Sequence, residues 1–261
     1  MKPLILIAND DGVFSPGIRA AAEAVIDFAE VLIVAPAKQQ SGMGRSYPNS
    51  DDVGIIDFVE LEVGGQKLTA YGVHGSPATA VSHAVLELAE RQIDLCISGI
   101  NYGENLGLCL TVSGTVGAAL EAHSYGIPAI AVSLEASLES HFSGYHPEMD
   151  WRQCQRIIRQ YAKRILAEGL PGDIALLNIN IPIDAIEATP IELTTLSSQQ
   201  YDYFIKPEQR DFSERYRLQY YIHIDHETLE TNSDIACFAV RKHISVTPIT
   251  WDLTAKTAYE V

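Results

Sequence analysis

Leu4 to Ala8 is an unbroken apolar run, and Ser15-Pro16 follows it with the residues of a capped helix start. A strand that lacks polar alternation is one covered on both faces, as happens in a parallel sheet sandwiched between helices. After Pro16, the residues Ile18, Ala21, Ala22, Val25 and Ile26 recur on one helical face, and Val31 to Ala35 repeats the buried run. This β-α-β order predicts a right-handed crossover and a parallel sheet, with ligands expected at the carboxyl ends of the strands.

The same grammar continues along the chain. Ile55 to Val63, a Gly64-Gly65 turn and Leu68 to Val73 predict a hairpin; Ser76-Pro77 opens a second helix, with Ala80, Val81, Ala84, Val85 and Leu88 as its apolar face. Strands are expected at Leu95 to Ser98, Ile130 to Leu134 and Ile174 to Ile181, and helices at Thr115 to Tyr125 and Trp151 to Glu168. The fold class expected is therefore α/β, a Rossmann-like doubly wound and mostly parallel sheet. Tyr201 to Ile205 and Tyr216 to Ile224 predict a projecting β-hairpin, Ser233 caps a short helix of about Asp234 to Arg241, and Ile244 to Thr254 is an extended tail. On this pattern residues 1–190 form the catalytic core, and 191–261 form an arm, a short helix and a tail suited to oligomer contacts.

Composition narrows the function. The 261 residues carry 18 Lys and Arg against 34 Asp and Glu, a net charge of -16. That balance argues against binding nucleic acid polymers or anionic membranes, which requires clustered cations. A small anionic substrate stays open, because a bound metal ion reverses the local field. No apolar segment has the length of a membrane span, and the run before Asn9 is too short for a signal peptide, so a cytoplasmic protein is expected. Cys96, Cys109, Cys154 and Cys237 have no CxxC spacing and read as buried thiols.

Four short segments carry possible chemistry. Asn9-Asp10-Asp11-Gly12 directly follows the first strand. Two adjacent carboxylates raise each other's pKa unless a divalent cation keeps both ionised, and Gly12 permits the turn that lets them converge. An Asx-turn that merely starts the loop is the competing explanation. Ser41, in the loop after the second strand, is either part of a polar surface loop or a neutral ligand completing an oxygen shell; Asn101, in the Gly-rich loop after the third, has the same two readings. Ser113-Gly114-Thr115 at a helix start is either plain N-capping or a phosphate cradle of free backbone N–H groups. Convergence of three strand ends and a helix start favours ion and phosphate together. Among the histidines, only His74, at a strand end, is a candidate proton donor.

With these residues go longer matches: NDDGVFSPGI from Asn9, VAPAKQQSG from Val34, GSPATAV from Gly75, SGINYGENLG from Ser98, SGTVGAALE from Ser113, LLNINIP from Leu176 and ISVTPITWDLT from Ile244. In order and spacing the chain resembles the survival protein E (SurE) family of metal-dependent nucleotidases. The resemblance implies one divalent ion, magnesium or manganese, held by Asp10, Asp11, Ser41 and Asn101. Asp10 and Asp11 are then the catalytic candidates, either with Asp10 orienting or deprotonating a bound water or with a carboxylate attacking the phosphate directly to form a phospho-enzyme. It implies phosphate beside Ser113, Gly114 and Thr115; Asn9, Gly42 and Asn105 are the further phosphate-binding candidates. It implies hydrolysis of nucleoside 5'- and 3'-monophosphates, short polyphosphate in some members, and homodimers or homotetramers joined through C-terminal elements. Ala37-Lys38, Gly44-Arg45 and Val112 depart from the family pattern in the surrounding loops. A general or sugar phosphatase, or a nucleotide-binding assembly module with little turnover, are the rival functions.

Overall fold

The computed structural model describes residues 1–137 and 147–255. Its centre is a nine-stranded sheet built from β1 (Leu4–Ala8), β2 (Glu30–Pro36), β3 (Ile56–Val63), β4 (Gln66–Val73), β5 (Leu95–Tyr102), β6 (Ala129–Leu134), β7 (Ile174–Ile181), β8 (Ile191–Leu193) and β11 (Ile244–Thr250). The order is β3-β4-β2-β1-β5-β6-β7-β11-β8. Strands β4, β2, β1, β5, β6 and β7 run parallel; β3 pairs antiparallel with β4, and β11 with β7. Strand order reverses around β1, because the chain builds outward to β4 and then returns to place β5 on the other side. Such a reversal opens a crevice at the carboxyl ends of the strands.

The unbroken apolar run of β1 is explained by its two neighbours. Ile5 and Ile7 pack toward α1 (Pro16–Glu23) and α4 (Arg152–Glu168), while Leu4, Leu6 and Ala8 pack toward α2 (Pro77–His83) and α3 (Gly114–Ser124). Fully burying each such leucine or isoleucine contributes about 1.5–3 kcal/mol. Helix starts follow the caps read from sequence: the Ser15 hydroxyl accepts from Gly17 N–H and the Ser76 hydroxyl from Thr79 N–H, each followed by proline.

Several elements differ from expectation in their limits. The third strand continues to Tyr102 rather than ending at Ser98, so Asn101 sits on the last turn of pleat and not in a free loop. Helix α2 rewinds after His83 into a wider turn, Ala84–Leu88, of the π type. The projecting hairpin is short: β9 (Asp202–Phe204) pairs antiparallel with β10 (Tyr220–Ile222) as a separate two-stranded sheet. Ser233 does cap, accepting from Ala236 N–H, and the short helix runs over 234–240 as expected, with its last turn, Ala236–Val240, again π-type. The extended tail does more than project. Ile244 and Val246 are buried, and β11 lies inside the main sheet between β7 and β8. Thus the chain beyond residue 190 adds two strands to the sheet and also forms the separate hairpin; residues 256–261 of the tail lie outside the described residues.

Candidate active site

The crevice at the end of β1 begins with a turn that closes on itself. Asn9 donates its side-chain amide to the Gly12 carbonyl at 3.1 Å and accepts the Gly12 N–H at 3.2 Å, with Gly12 at φ +99°. A Cβ-bearing residue is strained at that φ, so glycine allows the chain to reverse here. The Asx-turn is therefore present, and of the two carboxylates it carries, Asp10 lines the cleft while Asp11 lies behind it against Gln39 and Tyr102. Asp10 and Asp11 are only 4% and 5% exposed. Asn9 itself is spent on the turn and does not line the cleft.

Asp10 lies against the start of α3. Its Oδ1 accepts the Thr115 hydroxyl at 2.6 Å, and backbone N–H groups of Gly114 and Thr115 also support its ionised form. A Cβ on Gly114 would come within 2.7 Å of the Asp10 side chain, so only hydrogen fits there. Asp11 accepts from the Gln39 amide and from Tyr102 N–H, both at 3.3 Å. Among the described residues neither aspartate forms an ion pair with Lys or Arg. Burial pushes the Asp10 carboxyl up to about 6, partly offset by the Thr115 hydroxyl; burial first, then the Asp10 charge, raises Asp11 well above the usual carboxylate range.

Around Asp10 the cleft is lined by Ser41, Gly42, Asn101, Asn105 and Ser113. Ser41 is brought in by the loop after β2, which Gln40 N–H fastens to the Asp10 carbonyl at 2.7 Å. Farther along, Gly44 N–H bonds the Val112 carbonyl, and Arg45 pairs with Glu121 of α3 at 2.6 Å, laying the loop on that helix. Asn101 commits its amide nitrogen to the Gly103 carbonyl at 2.7 Å, which leaves its oxygen lone pairs for a cation or a hydrogen-bond donor. Asn105 is fixed from behind: its N–H bonds Asn180 Oδ1 at 2.8 Å, its amide bonds Ser133 at 2.9 Å, and its carbonyl receives Asn178 and Asn180.

Of the helix-start residues, Ser113 lines the cleft while its hydroxyl caps α3 by accepting Val116 N–H at 3.1 Å; Thr115 is fully buried and holds Asp10. His74 is placed elsewhere. It sits in an adjoining depression with Lys38 and Ser50, bridging Asp52 and Asp57 at 3.0 Å each, and the Asp52 bond first of all raises its pKa. His223 packs on Tyr203 in the hairpin, and all four cysteines are buried and free.

The donor set suits a hard divalent cation. Two adjacent buried carboxylates without a counter-charge are costly, and a cation coordinated by oxygen removes that cost. Among the described residues no cluster of three or more His, Cys, Asp and Glu groups is placed for a metal, so any ion here rests on two carboxylates and neutral oxygens. Residues missed from sequence are Asn178, Asn180 and Ser133, which brace Asn105, and Glu104, Tyr201 and Asp202 beside the cleft. Two asparagines facing one way in an otherwise apolar strand were the available signal for the first group; the others are joined only by the fold.

Comparison with known proteins finds relatives along nearly the whole chain. The family model described as Survival protein SurE matches residues 5–203. The chain is 40% identical over 265 residues to a Methanosarcina acetivorans protein named 5'-nucleotidase SurE, covering 99% of this chain and 96% of that protein. It is 36% identical over 258 residues to a protein of the same name from Thermococcus gammatolerans, covering 98% and 93%. The crystal structure of the Sure protein from Aquifex aeolicus superposes with a TM-score of 0.71 at 29% identity, covering 97% of this chain and 95% of that one.

Proposed function

This chain belongs to the SurE family, and from that premise we propose that it is a divalent-cation-dependent phosphomonoesterase that hydrolyses nucleoside 5'- and 3'-monophosphates to nucleoside and phosphate. The observation that carries the reading is the buried Asp10–Asp11 pair, uncompensated by Lys or Arg among the described residues and backed by a helix start. Its relatives' name, 5'-nucleotidase, supports the same substrate class.

Asp10, Asp11, Ser41 and Asn101 would hold the ion, magnesium or manganese. When bound, it supplies positive charge to the transferring phosphoryl group and lowers the pKa of water at the site. The chain's own residues do the rest. Thr115 and the amides of α3 hold the Asp10 carboxylate in one orientation, where it accepts the proton of the attacking water. Asn105, braced by three polar side chains of β6 and β7, together with Gly42 and Ser113, orients the phosphoryl oxygens. Asn9, Gly114 and Thr115 serve the phosphate indirectly, by shaping the turn and seating Asp10.

The net charge of -16 supports mononucleotides over nucleic acid polymers as substrates. No helix among the described residues is long and apolar enough to cross a membrane, and a cytoplasmic location fits the reading. Exposed Phe204, Tyr221 and Ile222 of the hairpin and Leu253 of the tail support homodimers or homotetramers formed through these elements.

The test is phosphate release from AMP and GMP with magnesium or manganese, alongside sugar phosphates and tripolyphosphate. Hydrolysis of nucleotides that is lost with chelator and in Asp10→Asn is expected. Tight nucleotide binding without phosphate release under any divalent ion would leave the binding-module reading standing instead; faster turnover of sugar phosphates would favour a general phosphatase.

A further inference from the structure

Part of the cleft wall plays no part in holding the cation or the phosphate. Glu104 and Asp202 line the cleft beside Cys109 and Val112. Glu104 Oε1 accepts the Tyr201 hydroxyl at 3.0 Å, whereas its Oε2 is buried and has no hydrogen-bond partner. A buried carboxyl oxygen without a partner is costly in the free protein, and a ligand that brings a donor removes that cost.

The two carboxyl groups are built in rather than incidental. Tyr201 and Asp202 lead into β9, and this segment is pinned to the Gly107–Val112 turn: Asp202 N–H and the Gln200 amide both donate to Cys109 Sγ, at 3.3 and 3.5 Å. Asp234 ties the same region together by accepting Gly107 N–H and Ser197 N–H, each at 2.9 Å. Tyr201 is itself 5% exposed and closes over Glu104.

Carboxyl oxygens do not attract a phosphoryl group, so this wall faces another part of a phosphomonoester. What remains of such a substrate is its leaving alcohol. The carboxyl acceptors of this wall match hydroxyl donors, and a nucleotide's leaving group offers hydroxyls on its sugar. We propose that Glu104 and Asp202 form a sugar-hydroxyl subsite, through which the vicinal hydroxyls of a ribonucleotide become part of substrate recognition. The inference rests on the nucleotidase reading and adds a specificity determinant to it. A site built to bond a hydroxyl rejects the analogue lacking it far more strongly than an apolar pocket does.

The experiment compares kcat/KM for AMP and for 2',3'-dideoxyadenosine 5'-monophosphate in the full-length protein with manganese present. It is run on the parent, Glu104→Gln, Glu104→Leu and Asp202→Asn. The parent is expected to prefer AMP by about tenfold or more, the size of one hydrogen bond to a charged group. The preference is expected to shrink at least about threefold in the variants, mainly through KM for AMP, since uniform binding is what is lost. Asp202→Asn keeps the test open if a Glu104 variant fails to fold. Equal kcat/KM for both nucleotides in the parent, or a preference that no variant moves, overturns the subsite while leaving the nucleotidase intact. No hydrolysis of either nucleotide by the parent overturns the nucleotidase reading, and the subsite with it.

Discussion

Asp10 illustrates how a few atoms fix a buried carboxylate, because it is seated by one hydroxyl, two backbone amides and the absence of a side chain on Gly114. Thr115→Val keeps the shape and removes the 2.6 Å donor, so kcat/KM on AMP should fall about tenfold, with a stability loss of about 1–3 kcal/mol from the buried acceptor left unpaired. Gly114→Ala drives a methyl into Asp10 and should both cost about 1–3 kcal/mol and suppress turnover; unaltered activity in this variant would mean that Asp10 is not held where the site requires it. Glu104 gives a pH signature of a different kind. Burial pushes its carboxyl from 4.5 up to about 7, so the folded state holds the proton more tightly than the unfolded chain. The resulting stability is fully present below pH 4.5 and is lost as pH rises through 7. Glu104→Gln does not titrate, so its stability relative to the parent should improve between pH 5 and pH 8, by up to about 2 kcal/mol. Urea midpoints at the two pH values check this; a constant difference refutes it. At this scale the meeting of Asp10, Ser41 and Asn101 in one cleft was legible, because strand ends of one parallel sheet converge on one rim. Glu104 and Tyr201 were not, since they lie 97 positions apart and nothing local joins them.

At the scale of elements, legibility followed burial. An apolar run covered on both faces announces itself, as β1 does with Ile5 and Ile7 on one side and Leu6 on the other. Leu6 is fully buried, so Leu6→Ala should destabilise by about 2–5 kcal/mol, read from denaturant unfolding. Caps were equally readable, because a serine followed by proline satisfies a helix start locally. Elements defined by distant partners were harder. Strand β8 has three residues, and β11 owes its place to a register with β7 that pairs Val246 with Ile179. Its apolar and polar residues identify a strand without saying which sheet receives it. The loop after β2 is similar: its composition is polar, and contacts made only in the fold, Arg45 and Tyr47 with Glu121, lay it along α3.

At the scale of the whole molecule, one sheet rim gathers the ends of β1, β2 and β5 with the start of α3, and the C-terminal third reaches back to the same cleft through Tyr201 and Asp202. The hairpin that follows exposes Phe204 and Tyr221, at 68% and 47%. If those side chains join subunits, replacing both with serine should lower the mass seen by analytical ultracentrifugation, whereas a parent that sediments as a monomer would contradict the oligomer. At that rim the proposed cofactor is one divalent cation on Asp10, Asp11, Ser41 and Asn101. Titrating metal-free protein with manganese, followed by the paramagnetic signal of free ion, measures this directly. About one tightly bound ion per chain, lost in both Asp10→Asn and Asp11→Asn, is the predicted result under the oxygen-ligand logic of the site. Binding that survives both substitutions, or phosphate release from AMP that persists in thorough chelation, would contradict it.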